Sequence, residues 1–364
     1  MGGVIGELRG RPGRAALGVV SLIAVVDALV GSRVSLISFL ILGPLIGAAF
    51  LSARATAAVS AYALALALAL GVPDGVFGEV DHLVRCAVIL TAGVVATWLA
   101  GRRGAREAKL LQVSRVAEVA QHAILRSLPP RAGPIDLAAR YVSAAQEALI
   151  GGDLYEAAAT PYGVRVVVGD VRGKGLDAVR LAAVVLGAFR EAVHAQPDLA
   201  GAAEAIAVSV ARELEPEEFV TLVLAQFREG GELQLVNCGH PPPMCYSHGQ
   251  ASLLAAAPPA TPIGLDPVVT VQTFQLDPGD RVLLYTDGLL EARDAQGRFF
   301  PFEEGASAWP AGAGLGPALD QLVEQVRRHA GGRLEDDLAL VLAHYRGRET
   351  LDLDDAGVVA GTVA

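Results

Sequence analysis

The chain opens with long apolar runs and later turns to short, interrupted ones. Val34–Leu51 and Ala55–Val72 are 18-residue runs without a charge, and Leu83–Ala100 is a third whose Arg85 lies near one end. Each approaches the length a helix needs to cross the hydrocarbon of a bilayer. Ala15–Ser32 is a weaker candidate because Asp27 interrupts it. The pattern predicts an all-α bundle of four transmembrane helices over 15–32, 34–51, 55–72 and 83–100. Arg9, Arg11 and Arg14 precede the first run, and Arg102, Arg103 and Arg106 follow the last. The loop between the third and fourth runs carries Asp74, Glu79 and Asp81 and no Lys or Arg. The positive-inside rule then puts both ends of the bundle in the cytoplasm, which requires an even number of crossings. Arg54 falls inside as expected, and Arg33 is a mild misfit.

Between Gly104 and Pro129 there is no turn chemistry. Leu110, Val113, Ala117, Ala120 and Ile124 recur at spacings of 3, 4, 3 and 4, which predicts a helical linker within residues 101–134. Such a stripe serves either a parallel dimer or packing on the chain's own next domain, and the reading leans to the dimer. From residue 135 the period shortens. Strands are expected over 164–168, 219–227, 232–236, 268–276, 281–285 and 338–344, and helices over 176–195, 199–214 and 319–330. That mixture predicts an α+β domain over 135–346, sheet packed on sheet with helices outside. The acidic stretch 347–364 reads as a disordered tail.

Composition sharpens this division. The mean hydropathy is +0.44 with 19% charged residues, too apolar for an ordinary soluble chain. The formal net charge of −10, without a basic run, argues against nucleic acid as a partner. Cys86, Cys238 and Cys245 have neither disulfide-framework nor zinc spacing and read as reduced, packed thiols.

The candidate chemistry is acidic and sits at strand ends. Gly151-Gly152-Asp153 precedes the first strand, Gly169-Asp170 ends it, Thr286-Asp287-Gly288 ends another, and Glu335-Asp336-Asp337 precedes the last. An Asp beside a strand end is rigidly held yet open to solvent, and an adjacent glycine lets an ion or phosphate approach. Four carboxylates brought together need compensating charge. An all-oxygen donor set selects Mg²⁺ or Mn²⁺ over Zn²⁺, and two such ions can activate a water for in-line attack on phosphorus. The Gly169–Gly175 loop is not a Walker loop, since Gly175 stands where Ser or Thr is required.

These residues form an ordered series: GGDLY (151–155), GDVRGKG (169–175), FVTLVLAQF (219–227), CGHPPPM (238–244), PIGL (262–265), LLYTDGLLEARD (283–294) and EDDLALV (335–341). The series resembles bacterial stage II sporulation protein E-type phosphatases of the 2C-type (PPM) superfamily. The segment 116–130, with Gln121 and Leu128-Pro129-Pro130, resembles the helix that enters such domains. The resemblance implies an α-β-β-α sandwich holding two divalent cations, Mn²⁺ or Mg²⁺. Carried over by position, Asp153, Asp170, Asp287 and Asp336 are the implied catalytic metal ligands, with the Val171 carbonyl as a backbone ligand. Asp337 is the alternative to Asp336. Arg172 stands where relatives have Ser or a general-acid His; a guanidinium cannot act as an acid near neutral pH. Arg172 and Lys174 are candidates for holding the substrate phosphate, and His240 reads as structural.

The expected protein is thus a multi-pass membrane phosphatase with its catalytic domain in the cytoplasm. It would act on phosphoserine or phosphothreonine of a regulatory protein such as an anti-sigma-factor antagonist, and form a homodimer through the linker. The alternatives are an inactive phosphatase-like binding module and a small transporter regulated by the soluble domain. Retention of all four aspartates weighs against the first. The lack of internal repeats and of broken helices beyond Gly43-Pro44 weighs against the second.

Overall fold

The computed structural model describes residues 2–30, 35–72, 77–144, 151–255, 260–302 and 314–347. The expected tail, Arg33 and Asp74 lie outside them. The chain divides into two compact units, Met1–Gln112 and Val113–Ala364.

In the first unit α1 (Gly2–Arg9) leads into α2 (Arg11–Val30), α3 (Leu42–Phe50), α4 (Ala53–Leu70) and the longer part of α5 (Val80–Ile124), whose last twelve residues belong to the second. Three of these, α2, α4 and α5, are long and apolar enough to cross a membrane. The helix expected over 34–51 differs from its prediction. It is a 3-10 turn, Ile37–Ile41, followed by the nine residues of α3. Its 14 residues reach roughly 23 Å, short of a hydrocarbon core of about 30 Å. Small side chains let these helices close on one another: Ala16, Val20, Val59, Ala63 and Ile89 are buried. Leu29, Val94 and Trp98 point outward, the last two 62% and 56% exposed.

Contacts within this unit fix which ends lie together. Arg103 donates to the carbonyls of Ala48 at 3.0 Å and Leu51 at 2.9 Å, at the C-terminal end of α3. Ser52 N–H donates to Glu7 Oε2 at 3.1 Å. Glu7, Ser52 and Arg103 therefore share one end of the bundle. At the end of α2, Asp27 is buried and accepts from Leu36 N–H rather than meeting solvent.

The second unit is a sandwich of two antiparallel sheets. Its strands are β1 (Arg131–Ala132), β2 (Ile135–Val142), β3 (Leu154–Thr160), β4 (Gly163–Val171), β5 (Val220–Phe227), β6 (Glu232–Cys238), β7 (Met244–Ser247), β8 (Gln250–Leu253), β9 (Gln272–Gln275), β10 (Arg281–Tyr285) and β11 (Leu338–Tyr345). One sheet has the order β1-β2-β11-β10-β7-β8, the other β3-β4-β5-β6-β9. Val166 and Val168 of β4 point between the sheets with Val223, Val282, Leu284 and Val341. Val167, Leu222 and Leu224 point the other way, under α6 (Leu176–Ala195) and α7 (Leu199–Ala211). Burial on both faces explains the unbroken apolar run of β4. Outside the other sheet, α9 (Leu315–His329) lays Leu319, Leu322 and Val326 on Leu283, Leu340 and Leu342. Among the described residues between β10 and α9 is a one-turn helix, α8 (Gly288–Glu291). The layers run α-β-β-α.

Two polar devices lock the layers. Arg165, fully buried in β4, donates to Gln226 Oε1 at 2.6 Å and to the carbonyls of Val193, Gln196 and Pro197, closing the α6–α7 corner. Arg190 on α6 forks onto Glu156 with both contacts at 2.9 Å, and donates to the Ile124 carbonyl at 3.2 Å. The linker stripe is used locally. Ala117 packs on Val179 with Ala120 and Ile124 beside it, so these positions rest on the chain's own second unit. Leu110 of the same stripe stays exposed, as do Val116 and Val119.

Candidate functional site

The two-sheet register brings the acidic motifs to one edge of the sandwich. Leu154 of β3 pairs with Gly169 of β4, so Asp153 faces Asp170. Tyr285 of β10 pairs with Leu340 of β11, which sets Asp287 beside the segment leading out of Asp336. Thr286 joins the sheets. Its hydroxyl donates to Asp153 Oδ2 at 2.7 Å and accepts from Ala339 N–H at 2.9 Å. Glycine is required where these segments touch. A Cβ on Gly288 would stand 1.9 Å from the Asp337 carbonyl, and one on Gly152 would stand 2.3 Å from the Val171 carbonyl.

The carboxyl groups feel one another. Burial, and then the charge of Asp170, holds Asp153 well above the usual carboxylate range. Burial, with the charges of Asp287 and Asp336, pushes Asp170 up to about 7. Asp287 is raised by burial and by Asp336. The cation facing this group is Lys174, whose Nζ lies 3.0 Å from Asp336 Oδ1. Burial works against the Lys174 charge, but its hydrogen bond to Asp336 prevails and raises its pKa.

Asp336 and Asp337 have different work. Asp337 is buried and accepts from Tyr141 O–H, from Ala144 N–H at 2.7 Å and from Gly151 N–H at 2.8 Å. Its oxygens are committed to the backbone leading into Asp153. Asp336 is 40% exposed and turned toward Lys174.

Arg172 does not join the cluster. Its guanidinium donates to the Glu217 carbonyl and lies over the Phe219 ring, 5.4 Å from the centroid. His240 is buried with both ring nitrogens occupied, Nδ1 by the Thr221 hydroxyl at 3.0 Å and Nε2 by the Tyr285 carbonyl at 3.1 Å. A carbonyl only accepts, so Nε2 carries the proton. Burial lowers the His240 pKa to about 3. Gln121, near the end of α5, donates to the carbonyls of Gly151 at 3.3 Å and Asp153 at 3.4 Å. Thr286 and Tyr141 went unnoticed as site residues in the sequence. Thr286 adjoins Asp287 and could have been found there, whereas no signal marks Tyr141.

Among the described residues, no three Asp, Glu, His or Cys side chains stand in metal-ligating geometry. Even so, the donor chemistry fits hard divalent cations. The donors are clustered carboxylates, partly buried, whose like charges disfavour their shared ionisation and which lack His or Cys.

The sequence profile of the stage II sporulation protein E (SpoIIE) family matches residues 160–346, a span that contains Asp170, Asp287 and Asp336 but not Asp153. Phosphoserine phosphatase RsbU of Bacillus subtilis is 22% identical over 233 residues, covering 62% of this chain and 67% of the relative. The RsbU and RsbW domains of a Mycobacterium tuberculosis protein superpose with a TM-score of 0.52 at 26% identity, over 61% of this chain and 63% of that one. The SiaA-PP2C domain of Pseudomonas aeruginosa gives a TM-score of 0.55 at 18% identity, covering 66% of this chain and 98% of that domain. The chain therefore spans about two thirds of the length of the first two.

Proposed function

The chain belongs to the SpoIIE family and is a protein-serine/threonine phosphatase of the PPM fold; from that premise we propose that it is a metal-dependent, membrane-anchored enzyme releasing phosphate from a phosphorylated regulatory protein. The observation that carries this reading is the meeting of Asp153, Asp170, Asp287 and Asp336 at one sandwich edge, from both sheets. These four and the Val171 carbonyl would hold two divalent cations, Mn²⁺ or Mg²⁺, which would supply an activated water and positive charge for displacement at phosphorus.

The remaining residues position and exclude. Thr286 orients Asp153, and Asp337 fixes the backbone that delivers it. Lys174, at the rim, is the residue best placed to meet a substrate phosphate as well as Asp336. Arg172 is committed to Glu217 and Phe219, which argues against its holding the phosphate. The Nε2 proton of buried His240 is held by the Tyr285 carbonyl, so the leaving serine or threonine oxygen takes its proton from solvent.

The apolar helices of the first unit support a multi-pass anchor with the catalytic unit on the cytoplasmic side. Homodimerisation through the linker would use the exposed face with Val116 and Val119, since Ala117, Ala120 and Ile124 are covered. The substrate class favoured by the RsbU relationship is a serine-phosphorylated anti-sigma-factor antagonist.

The test is p-nitrophenyl phosphate hydrolysis by the full chain in detergent micelles with Mn²⁺, Mg²⁺ or EDTA. Turnover that needs the cation and disappears in Asp170→Asn and Asp287→Asn supports the enzyme. A folded chain with no cation-dependent turnover would sink it in favour of a binding module.

A further inference from the structure

A cleft of about 590 Å³ opens beside the aspartate cluster, between the end of α7, the loop Leu214–Phe219 and the loop Gly264–Pro267. It is tied directly to the catalytic edge. Arg172 N–H donates to the Phe219 carbonyl at 3.1 Å, and Val171 and Asp170 pair with Val220 and Thr221 of β5. The cleft wall therefore begins two residues from Asp170, at most about 7 Å of extended chain.

Its lining combines an apolar floor with an acidic rim. Leu214, Phe219 and the 54% exposed Leu265 offer apolar surface. Glu215, Glu217 and Asp266 surround it, all exposed, and among the described residues none has a cationic partner. Glu218 is occupied by Arg180 at 3.7 Å. The cation in the wall, Arg172, is turned onto the Glu217 carbonyl and the Phe219 face, so its charge is already engaged. Glu217 and Asp266 also hold left-handed backbone, φ 76° and 52°, which side-chain-bearing residues seldom adopt. Two acids are thus held at the mouth of an apolar cleft by backbone that costs energy to form.

We infer that this cleft reads the phosphoprotein segment flanking the phosphorylated residue, taking an apolar side chain on its floor and a Lys or Arg against Glu217 and Asp266. The inference rests on the phosphatase reading of the adjoining site. An extended segment advances about 3.3 Å per residue, so the recognised basic residue lies roughly two to four positions from the phosphoserine. The charge match is with the flanking sequence, while the phosphate itself would be met by the cations that the aspartate edge would hold. An acidic phosphoprotein surface would be repelled here.

The experiment uses the full chain in dodecyl maltoside micelles and fluorescent phosphoserine peptides that differ only in flanking residues: Leu-Arg, Leu-Ala or Leu-Glu, on either side. Anisotropy reads binding without requiring turnover. The Leu-Arg peptide should bind about tenfold more tightly than the Leu-Glu peptide at low salt, and that ratio should shrink with added salt. In Glu217→Gln/Asp266→Asn, which keeps shape and tolerates the left-handed backbone, the ratio should fall to within about twofold. Equal binding of all three peptides, including no binding, overturns the inference. So does a preference that the double substitution leaves intact. Hydrolysis of p-nitrophenyl phosphate by the unsubstituted chain reports on the phosphatase reading separately. Its absence alongside a charge preference that the double substitution removes would fell that reading and leave the cleft standing.

Discussion

The Thr286 hydroxyl donates to Asp153 across the two sheets, 133 positions away in sequence, and in the same geometry accepts from Ala339 N–H. Thr286 is fully buried, so both bonds are made without water. Thr286→Val keeps the shape and removes the oxygen. It orphans the Ala339 N–H and frees Asp153, costing about 1–3 kcal/mol. Thermal unfolding should register that loss. The Mn²⁺ concentration for half-maximal turnover should rise, and Thr286→Ser should restore both. A Val variant as stable and as tightly Mn²⁺-dependent as the parent would remove Thr286 from the site.

Neighbouring aspartates 336 and 337 should respond oppositely to one substitution. Asp337→Asn puts an amide against the N–H groups of Ala144 and Gly151, a loss on the order of 3 kcal/mol in stability. Asp336→Asn leaves those contacts alone and should leave the melting temperature nearly unchanged, while cation-dependent turnover falls at least about 100-fold. Reversal of the two phenotypes would make Asp337 the ligand.

This division was not readable from the sequence, where the adjacent carboxylates look alike. What separates them is the strand β2, whose Ala-Ala-Arg centre broke the apolar pattern and hid it; Tyr141 and Ala144 reach Asp337 from that strand's end. β3 was hidden for the same reason, being an Ala-rich strand formed by pairing rather than by propensity. β4, β5, β10 and β11 were readable because burial on both faces leaves unbroken Val and Leu runs. Arg165 shows the opposite limit. A charge inside β4 reads as a solvated face, yet it is fully buried because three carbonyls at the α6–α7 corner and Gln226 Oε1 on β5 accept from it. The aspartates were visible one by one, from the glycines beside them. Their assembly depended on sheet pairing that motif spacing does not encode.

The raised carboxyl pKa values fix a pH dependence. Asp170 titrates near 3.8 in an unfolded chain and at about 7 in the fold, so in EDTA its contribution to stability is full below pH 4 and is lost as pH rises to about 7. His240 acts the other way. Its folded value of about 3 lies below the ordinary 6.5, so stability is lost as pH falls through that interval. Comparing the parent with Asp170→Asn isolates the first effect. In EDTA the variant should melt several degrees above the parent at pH 8 and match it near pH 4. Added Mn²⁺ should stabilise the parent at pH 8 and the variant far less. Equal melting of the two at pH 8 in EDTA would mean that Asp170 bears no strain from its neighbours.

The bundle contacts predict four crossings despite the shortness of the Ile37–Phe50 element. With three crossings, Glu7 and Arg103 would lie on opposite sides of the membrane. Yet Glu7 bonds Ser52 N–H at 3.1 Å and Arg103 bonds the Leu51 carbonyl at 2.9 Å, so all three belong to one side. A second crossing this short would call for local thinning of the bilayer, a modest cost per ångström of mismatch. By the positive-inside rule, the arginines at both ends of the bundle predict that the shared side is cytoplasmic. Ser52→Cys and Glu79→Cys test this, since both positions are exposed while Cys86, Cys238 and Cys245 are buried. A membrane-impermeant maleimide should label Glu79→Cys in intact cells and Ser52→Cys only after lysis. The reverse pattern would put Ser52 outside and Glu79 inside, so that α5 would carry the catalytic unit out of the cytoplasm and away from any intracellular phosphoprotein.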